Sequence, residues 1–283
     1  MLGQVYKAHS NKYFVKVNNK VIQCNARGLL KLKGDAICVG DYVEVEKDVI
    51  VSVEKRKNNF IRPNVSNVDT IVAVFSPEPK PDFYLLDKLL LNSVKEDVEF
   101  IILINKSDVD ATLFDSIKKE YEPLGVLVES VCAKTKEGIE KLKKLLRGKL
   151  SVFAGQSAAG KTSLVNALFD LNLKVGELSV KTERGKHTTT RSEIFEVEDI
   201  KVIDSPGFAV IDADVTLKEL PDCYPEYLSV ANQCKFRGCS HVNEPECMVK
   251  KLVEDGVFSK NRYQRYVEIY DEISKRRTLY EKN

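Results

Sequence analysis

Leu150-Ser-Val-Phe-Ala, then Gly155-Gln156-Ser157-Ala158-Ala159-Gly160-Lys161-Thr162, then Ser163-Leu-Val-Asn-Ala-Leu set a short apolar strand, a glycine-bounded loop and an amphipathic helix in succession. Those residue types in that order suit the binding of phosphate groups. Gly155 and Gly160 permit the turns that aim the N–H groups of the residues between them inward, and the helix opening at Ser163 presents its positive end. Lys161 adds a formal charge, and the Thr162 hydroxyl is a ligand for Mg²⁺.

A second set of residues is suited to reading a base. Asn105-Lys106-Ser107-Asp108 directly follows the apolar run Phe100–Ile104 and resembles the guanine-specificity motif of GTPases. A carboxylate accepts both the ring N1–H and the exocyclic amine of guanine, a donor pair that adenine lacks, so Asp108 discriminates between them. Asn105 would orient the base edge, and Lys106 would pack on it. Cys132-Ala133-Lys134, after the next apolar strand, resembles the segment whose backbone meets the guanine oxygen. Downstream of the phosphate loop, Gly185-Lys186-His187-Thr188-Thr189-Thr190 stands where a first switch belongs, and Asp204-Ser205-Pro206-Gly207 where a second begins. Asp204 is placed to hold Mg²⁺ through water, the Gly207 N–H to bind a γ-phosphate, and any of the three threonines to complete the metal shell. These base motifs precede the phosphate loop, the reverse of the usual order, so the domain is circularly permuted.

Cys234, Cys239, His241 and Cys247 form a third constellation, spaced Cys-x4-Cys-x-His-x5-Cys. Three thiolates and an imidazole match tetrahedral zinc in number and softness, and four protein ligands make such a site structural. Cys24, Cys38, Cys132 and Cys223 lack such company and read as isolated thiols. An odd cysteine count without a secretory leader argues against disulfides.

The elements that position these residues fall into three segments. The 283 residues, 43% hydrophobic, are ample for several cores. No apolar run reaches the ~18 residues of a membrane span and Met1-Leu-Gly-Gln-Val-Tyr-Lys lacks the apolar core of a signal peptide, so a cytoplasmic protein is expected, with a monomer as the simple expectation. Residues 1–65 hold 12 Lys/Arg against 6 Asp/Glu, residues 66–213 hold 20 against 24, and residues 214–283 hold 12 against 12. The basic first segment points to a polyanionic partner. Its short alternating runs predict five β-strands closing into an oligonucleotide-binding barrel, with an SH3-like barrel as the alternative. Arg27, Lys31, Lys33 and Lys55-Arg56-Lys57 are its candidate RNA contacts. From Ser66 continuous apolar strands (68–75, 100–104, 126–131, 150–154, 200–203) alternate with helices (83–95, 113–121, 138–147, 163–169), which predicts an α/β domain with a mostly parallel sheet. Residues 259–280 read as a helix with Tyr263, Tyr266, Val267, Tyr270 and Ile273 on its packing side. Arg262, Arg265, Lys275, Arg276 and Arg277 lie off that stripe, as a further candidate RNA contact.

Motif order, the His-Thr-Thr-Thr segment, the barrel and the zinc spacing together resemble the ribosome small subunit-dependent GTPase A family over nearly the whole chain. The resemblance implies an OB-like barrel (1–65), a circularly permuted P-loop G domain (66–213) and a zinc-binding helical domain (214–283). It implies hydrolysis of GTP to GDP with Mg²⁺, one structural Zn²⁺, and stimulation by the 30S subunit and its 16S rRNA during late maturation. The family's phosphate loop usually carries Gly-Val before Gly-Lys-Ser, where this chain has Ala158-Ala159 before Gly160-Lys161-Thr162, a departure expected to leave phosphate binding intact. Phe208 stands where Ras-like GTPases have the glutamine that orients water, so intrinsic hydrolysis should be slow. The resemblance gives that role to His187. Two other classes stay open: a P-loop ATPase or kinase, and an RNA-binding module with incidental hydrolysis.

Overall fold

The computed structural model describes residues 1–9, 12–27, 36–61, 64–110, 112–171, 192–204 and 213–280. Its first five strands are β1 (Leu2–His9), β2 (Lys12–Val17), β3 (Lys20–Ala26), β4 (Tyr42–Glu46) and β5 (Val49–Val53). The two-residue period of a half-buried strand is clearest in β4, where Val43 and Val45 are buried while Tyr42, Glu44 and Glu46 face water. Asn18 and Asn19 turn the β2–β3 hairpin at φ 47° and 63°, a conformation that suits asparagine. The strands follow the order β1-β2-β3-β5-β4, β3 and β5 run parallel, and β4 returns to pair with β1 at Leu2↔Glu44 and Gln4↔Tyr42. The predicted five-stranded barrel is therefore closed, around Val5, Val15, Cys24, Val43, Val45 and Ile50. Arg27 and Lys55 are exposed on it, whereas Lys31 and Lys33 lie outside the described residues. Arg56 is a different case: its guanidinium is forked onto buried Asp41 at 2.7 and 2.9 Å, and so serves packing.

A short ribbon, β6 (Asn59–Phe60) with β7 (Val65–Ser66), leads into the α/β region. There β8 (Thr70–Phe75), α1 (Phe83–Lys95), β9 (Glu99–Ile104), α2 (Thr112–Tyr121), β10 (Leu127–Ser130), α3 (Ile139–Leu146), β11 (Leu150–Ala154) and α4 (Lys161–Phe169) alternate. Every residue of β8 and β11 is buried, as helices on both faces require. Alternate side chains of β8 go to opposite cores: Ile71, Ala73 and Phe75 meet α1 and α2, and Val72 and Val74 meet α3 and α4.

The strand order is β10-β9-β8-β11-β13-β12, parallel except at its edge. There β12 (Glu193–Val197) forms a hairpin with β13 (Ile200–Asp204), and β12 also meets β1 of the barrel at Lys7↔Glu193. The sequence does not predict β12, because its alternation is brief and follows a polar stretch. Through it, barrel and α/β sheet become one 11-stranded sheet. The junction is clasped by Glu196, which accepts from Tyr6 and Lys16, and by Lys7–Glu193 at 2.6 Å.

The C-terminal unit comprises α5 (Pro225–Leu228), α6 (Met248–Glu254) and α7 (Lys260–Tyr280) around Leu220, Tyr224, Tyr227, Val249, Tyr266, Ile269 and Ile273. The aromatic stripe of α7 is core, as predicted, with Tyr266 set edge-on to Tyr224 and Tyr227. Two of the arginines expected to face RNA do not. Arg262 and Arg265 both donate to Asp87 of α1, which is fully buried, and Arg262 itself is only 3% exposed. A buried carboxylate must be paired, and these arginines are its partners.

Candidate functional site

All the predicted nucleotide residues within the described parts follow the carboxyl ends of parallel strands. From β8 the chain steps outward through β9 to β10, and from β11 it steps the other way to β13, so the strand order reverses between β8 and β11. In an open parallel sheet a ligand crevice lies at that reversal, where connecting loops diverge and leave room. Residues 155–162 follow β11, 105–108 follow β9 and 131–134 follow β10; Asp204 ends β13, beside the phosphate-loop strand. His187, Thr188, Thr189 and Gly207 lie outside the described residues, as does Phe208.

The loop after β11 requires glycine at two points. Gly155 has φ +124°, and a Cβ there would lie 2.2 Å from the Val74 carbonyl oxygen. Gly160 has φ +93°, and a Cβ would lie 2.2 Å from Asn105 Nδ2. Gly160 caps α4 without a side-chain acceptor, so no cap side chain occupies the first-turn N–H groups at the helix's positive end. Lys161 Nζ donates to the loop's own carbonyls, Gly155 O at 2.7 Å and Gln156 O at 2.6 Å. Thr162 and Ser163 sit half-buried on that first turn. Ala158 holds a left-handed φ of 62°, which is ordinarily glycine territory.

Asn105 joins three loops. It is 2% exposed; its Nδ2 donates to Ala159 O at 2.9 Å, and its Oδ1 accepts from the Ala133 N–H at 3.2 Å. Its carboxamide therefore fixes the base-reading loop against the phosphate loop, a scaffolding part where base orientation is expected. Lys106, at φ 61°, spans to Ala158 O at 3.0 Å. The Ser107 N–H donates to Val131 O at 3.3 Å, and the buried Cys132 thiol to Asp108 Oδ1 at 3.3 Å. Asp108 and Lys134 stand exposed at the mouth. Motif reading does not find Glu78, Lys80 and Asp82, whose backbone groups receive Lys106 and Gln156 from the turn after β8. Backbone donors and acceptors leave no residue-type signal. Asp87 did leave one, a charge on the leucine face of α1.

Cys234, Cys239, His241 and Cys247 converge as predicted, with ligand atoms all within 4.8 Å of one another. The Cys234 and Cys247 sulfurs are 3.9 Å apart, and His241 Nδ1 lies 3.7 and 3.3 Å from them. Zn–S near 2.3 Å and Zn–N near 2.0 Å in a tetrahedron require edges of about 3.5–3.8 Å, so the donor set fits zinc. Burial pushes the Cys239 thiol up to about 12 and the His241 imidazole down. A bound divalent cation reverses the first effect by displacing the thiol proton. Tyr263 and Tyr266 donate to the carbonyls of His241 and Ser240, tying the cluster to α7.

Residues 53–214 match the family model described as RsgA GTPase, and residues 2–50 match that of the RsgA N-terminal domain. The small ribosomal subunit biogenesis GTPase RsgA of Geobacillus sp. (strain WCH70) is 38% identical, covering 98% of this chain and 99% of its own length. The protein of the same name from Clostridium beijerinckii is 37% identical, covering 96% and 97%. Among solved structures, YjeQ from Thermotoga maritima superposes with a TM-score of 0.79 at 34% identity, covering 96% of this chain and 98% of that one. YloQ, described as a circularly permuted GTPase, gives 0.76 at 34%, covering 97% and 95%. A reversed motif order, motif residues gathered at the strand reversal and full-length likeness agree: the chain belongs to the RsgA GTPase family, and is a circularly permuted GTP hydrolase.

Proposed function

We propose that the chain hydrolyses GTP to GDP and phosphate in the crevice between β8 and β11, in the service of small ribosomal subunit biogenesis, the role named for its relatives. The observation that carries this reading is Asn105, which locks the base-reading loop to the phosphate loop across a strand reversal. In this assignment the backbone of Gly155, Gln156, Ser157, Ala158, Ala159 and Gly160 and the start of α4 hold the phosphates. Lys161 turns from its loop carbonyls to the β- and γ-phosphates. Thr162 and Asp204 would hold Mg²⁺, which would supply positive charge against the negative charge on the transferring phosphoryl group. Asp108 accepts the guanine N1–H and amine while the Cys132 thiol steadies its other face. His187 orients the attacking water, with Thr188 or Thr189 and Gly207 meeting the γ-phosphate end.

The division into 1–65, 66–213 and 214–283 belongs to the same reading. The barrel and the C-terminal unit flank the G domain, and contact with 16S rRNA falls to exposed cations such as Arg27, Lys55 and Lys275. One structural Zn²⁺ sits on Cys234, Cys239, His241 and Cys247. A monomer in the cytoplasm completes the assignment; no helix among the described residues is long and apolar enough to cross a membrane.

The test is steady-state hydrolysis by the purified chain with and without 30S subunits, beside Asp108→Asn assayed with GTP and XTP. Slow turnover that rises at least about tenfold with 30S, and a variant that prefers XTP, are expected, since a site built to hydrogen-bond a substrate N–H rejects the analogue lacking it by about 10⁴- to 10⁵-fold. Unchanged base preference removes Asp108 from the role, and turnover that stays flat with 30S removes the ribosomal assignment.

A further inference from the structure

Gln156 makes two hydrogen bonds that phosphate binding does not require. Its Oε1 accepts from the Asp82 N–H at 3.0 Å, and its Nε2 donates to Lys80 O at 2.9 Å. Only a carboxamide offers an acceptor and a donor side by side to meet a backbone N–H and a backbone C=O together. Asparagine is one methylene too short, glutamate lacks the donor and lysine lacks the acceptor. The orientation of the amide is fixed by these partners, because the reversed assignment would face donor to donor and acceptor to acceptor.

The segment so held is the foot of α1. Asp82 is the N-cap of that helix: its carboxylate accepts from the Leu85 N–H at 3.0 Å and its carbonyl from the Leu86 N–H at 3.1 Å. Beyond the cap, α1 carries the C-terminal unit. Asp87 receives Arg262 and Arg265, Lys88 pairs with Glu272 at 2.6 Å, Tyr84 donates to the same glutamate, and Lys95 pairs with Asp214 at 3.0 Å. At the other end, the Gln156 carbonyl accepts from Lys161, the group whose partner changes when phosphate arrives. One residue thus touches the phosphate lysine through its main chain and the seat of the zinc-bearing unit through its side chain.

We propose that Gln156 is a positioning residue that clips the phosphate loop to the N-cap of α1, so that nucleotide occupancy and the seating of the C-terminal unit on α1 are linked. The link runs through described, packed elements and is separate from the chain connection after Asp204. It rests on the reading of residues 155–162 as the phosphate loop. Binding of nucleotide draws Lys161 off the Gln156 carbonyl and orders the loop, the clip passes that order to Asp82, and α1 tightens from its first turn.

The test is amide hydrogen exchange of the zinc-loaded full chain, with and without saturating GDP, in wild type, Gln156→Met and Gln156→Asn. Methionine keeps the length without the hydrogen bonds; asparagine keeps the group without the reach. In wild type GDP should slow exchange across residues 83–95 and in 260–276. Both variants lose this pair of hydrogen bonds and should bind GDP about three- to tenfold more weakly and show no GDP-dependent change in those helices. A role in local loop stability alone would weaken binding yet leave the GDP-dependent change at saturation intact, and that result overturns the proposal. So does a wild type that binds GDP with no change in α1. A wild type that binds no GDP overturns the phosphate-loop reading itself.

Discussion

Ala158 holds φ 62° in a loop where the family usually has glycine. A Cβ in that region crowds the following carbonyl at a cost of about 1–2 kcal/mol, partly offset because alanine loses less chain entropy on folding. Ala158→Gly should therefore stabilise the chain by roughly 0.5–1 kcal/mol in urea unfolding, with GDP affinity equal or higher. Gly155→Ala is the opposite case, since its Cβ would sit 2.2 Å from the Val74 carbonyl. It should abolish GDP binding in the same titration. Two small residues in one loop thus differ because backbone stands against Gly155, whereas Ala158 is exposed.

At the scale of elements, α1 is the member on which the others converge. Its Leu85, Leu86, Leu89 and Leu90 pack into the sheet's core and Leu91 into that of the C-terminal unit, while Asp87, 1% exposed, takes Tyr121 at 2.8 Å as well as the two arginines of α7. Arg262 continues to Glu226 at 2.6 Å and Arg265 to Glu120 at 3.0 Å, so α1, α2, α5 and α7 share one charge cluster. A buried ion cluster adds little net stability over an apolar one, but losing one partner strands the rest. Asp87→Ala should cost about 3–5 kcal/mol in chemical unfolding by leaving two cations short of a counter-charge. Asp87→Ala combined with Arg262→Met should recover a measurable part of that loss, and an absence of recovery would show that the cluster is not coupled. The cluster fixes where α7 seats on α1, a registry that apolar contact alone leaves loose.

At the scale of the molecule, the barrel, the α/β region with its two cores and the C-terminal unit are joined in two different ways. The barrel is continuous with the G-domain sheet through β1 and β12, so its attachment is backbone pairing reinforced by the Glu196 clasp. The C-terminal unit is attached through side chains on α1 and drawn together from within by the cluster of Cys234, Cys239, His241 and Cys247. Metal analysis should return one zinc per chain. Chelation should strip exchange protection from residues 213–280 while residues 70–154 keep theirs, because the parallel sheet has its own core. Near-UV circular dichroism reports the same loss, since the chain has no tryptophan and Tyr224, Tyr227 and Tyr266 lie in that unit's core with Tyr263 packed against it.

Residue type and spacing alone determined the barrel, the alternation of strand and helix, the permuted order of motifs and the four metal-type ligands. Each is written in a short window, as period-two apolar runs, glycines at loop ends or cysteines a few residues apart. What only the tertiary structure decided involves partners far apart in the chain. β12 became a strand because β13 and β1 offered it edges, and Arg262 left the surface because Asp87, 175 positions away, lay buried opposite it. Gln156 gained its role from two backbone groups after β8 that no residue type announces. Local pattern records which groups a segment wants to bury or turn; which distant group satisfies them is settled when the cores pack and every buried polar atom must find a partner.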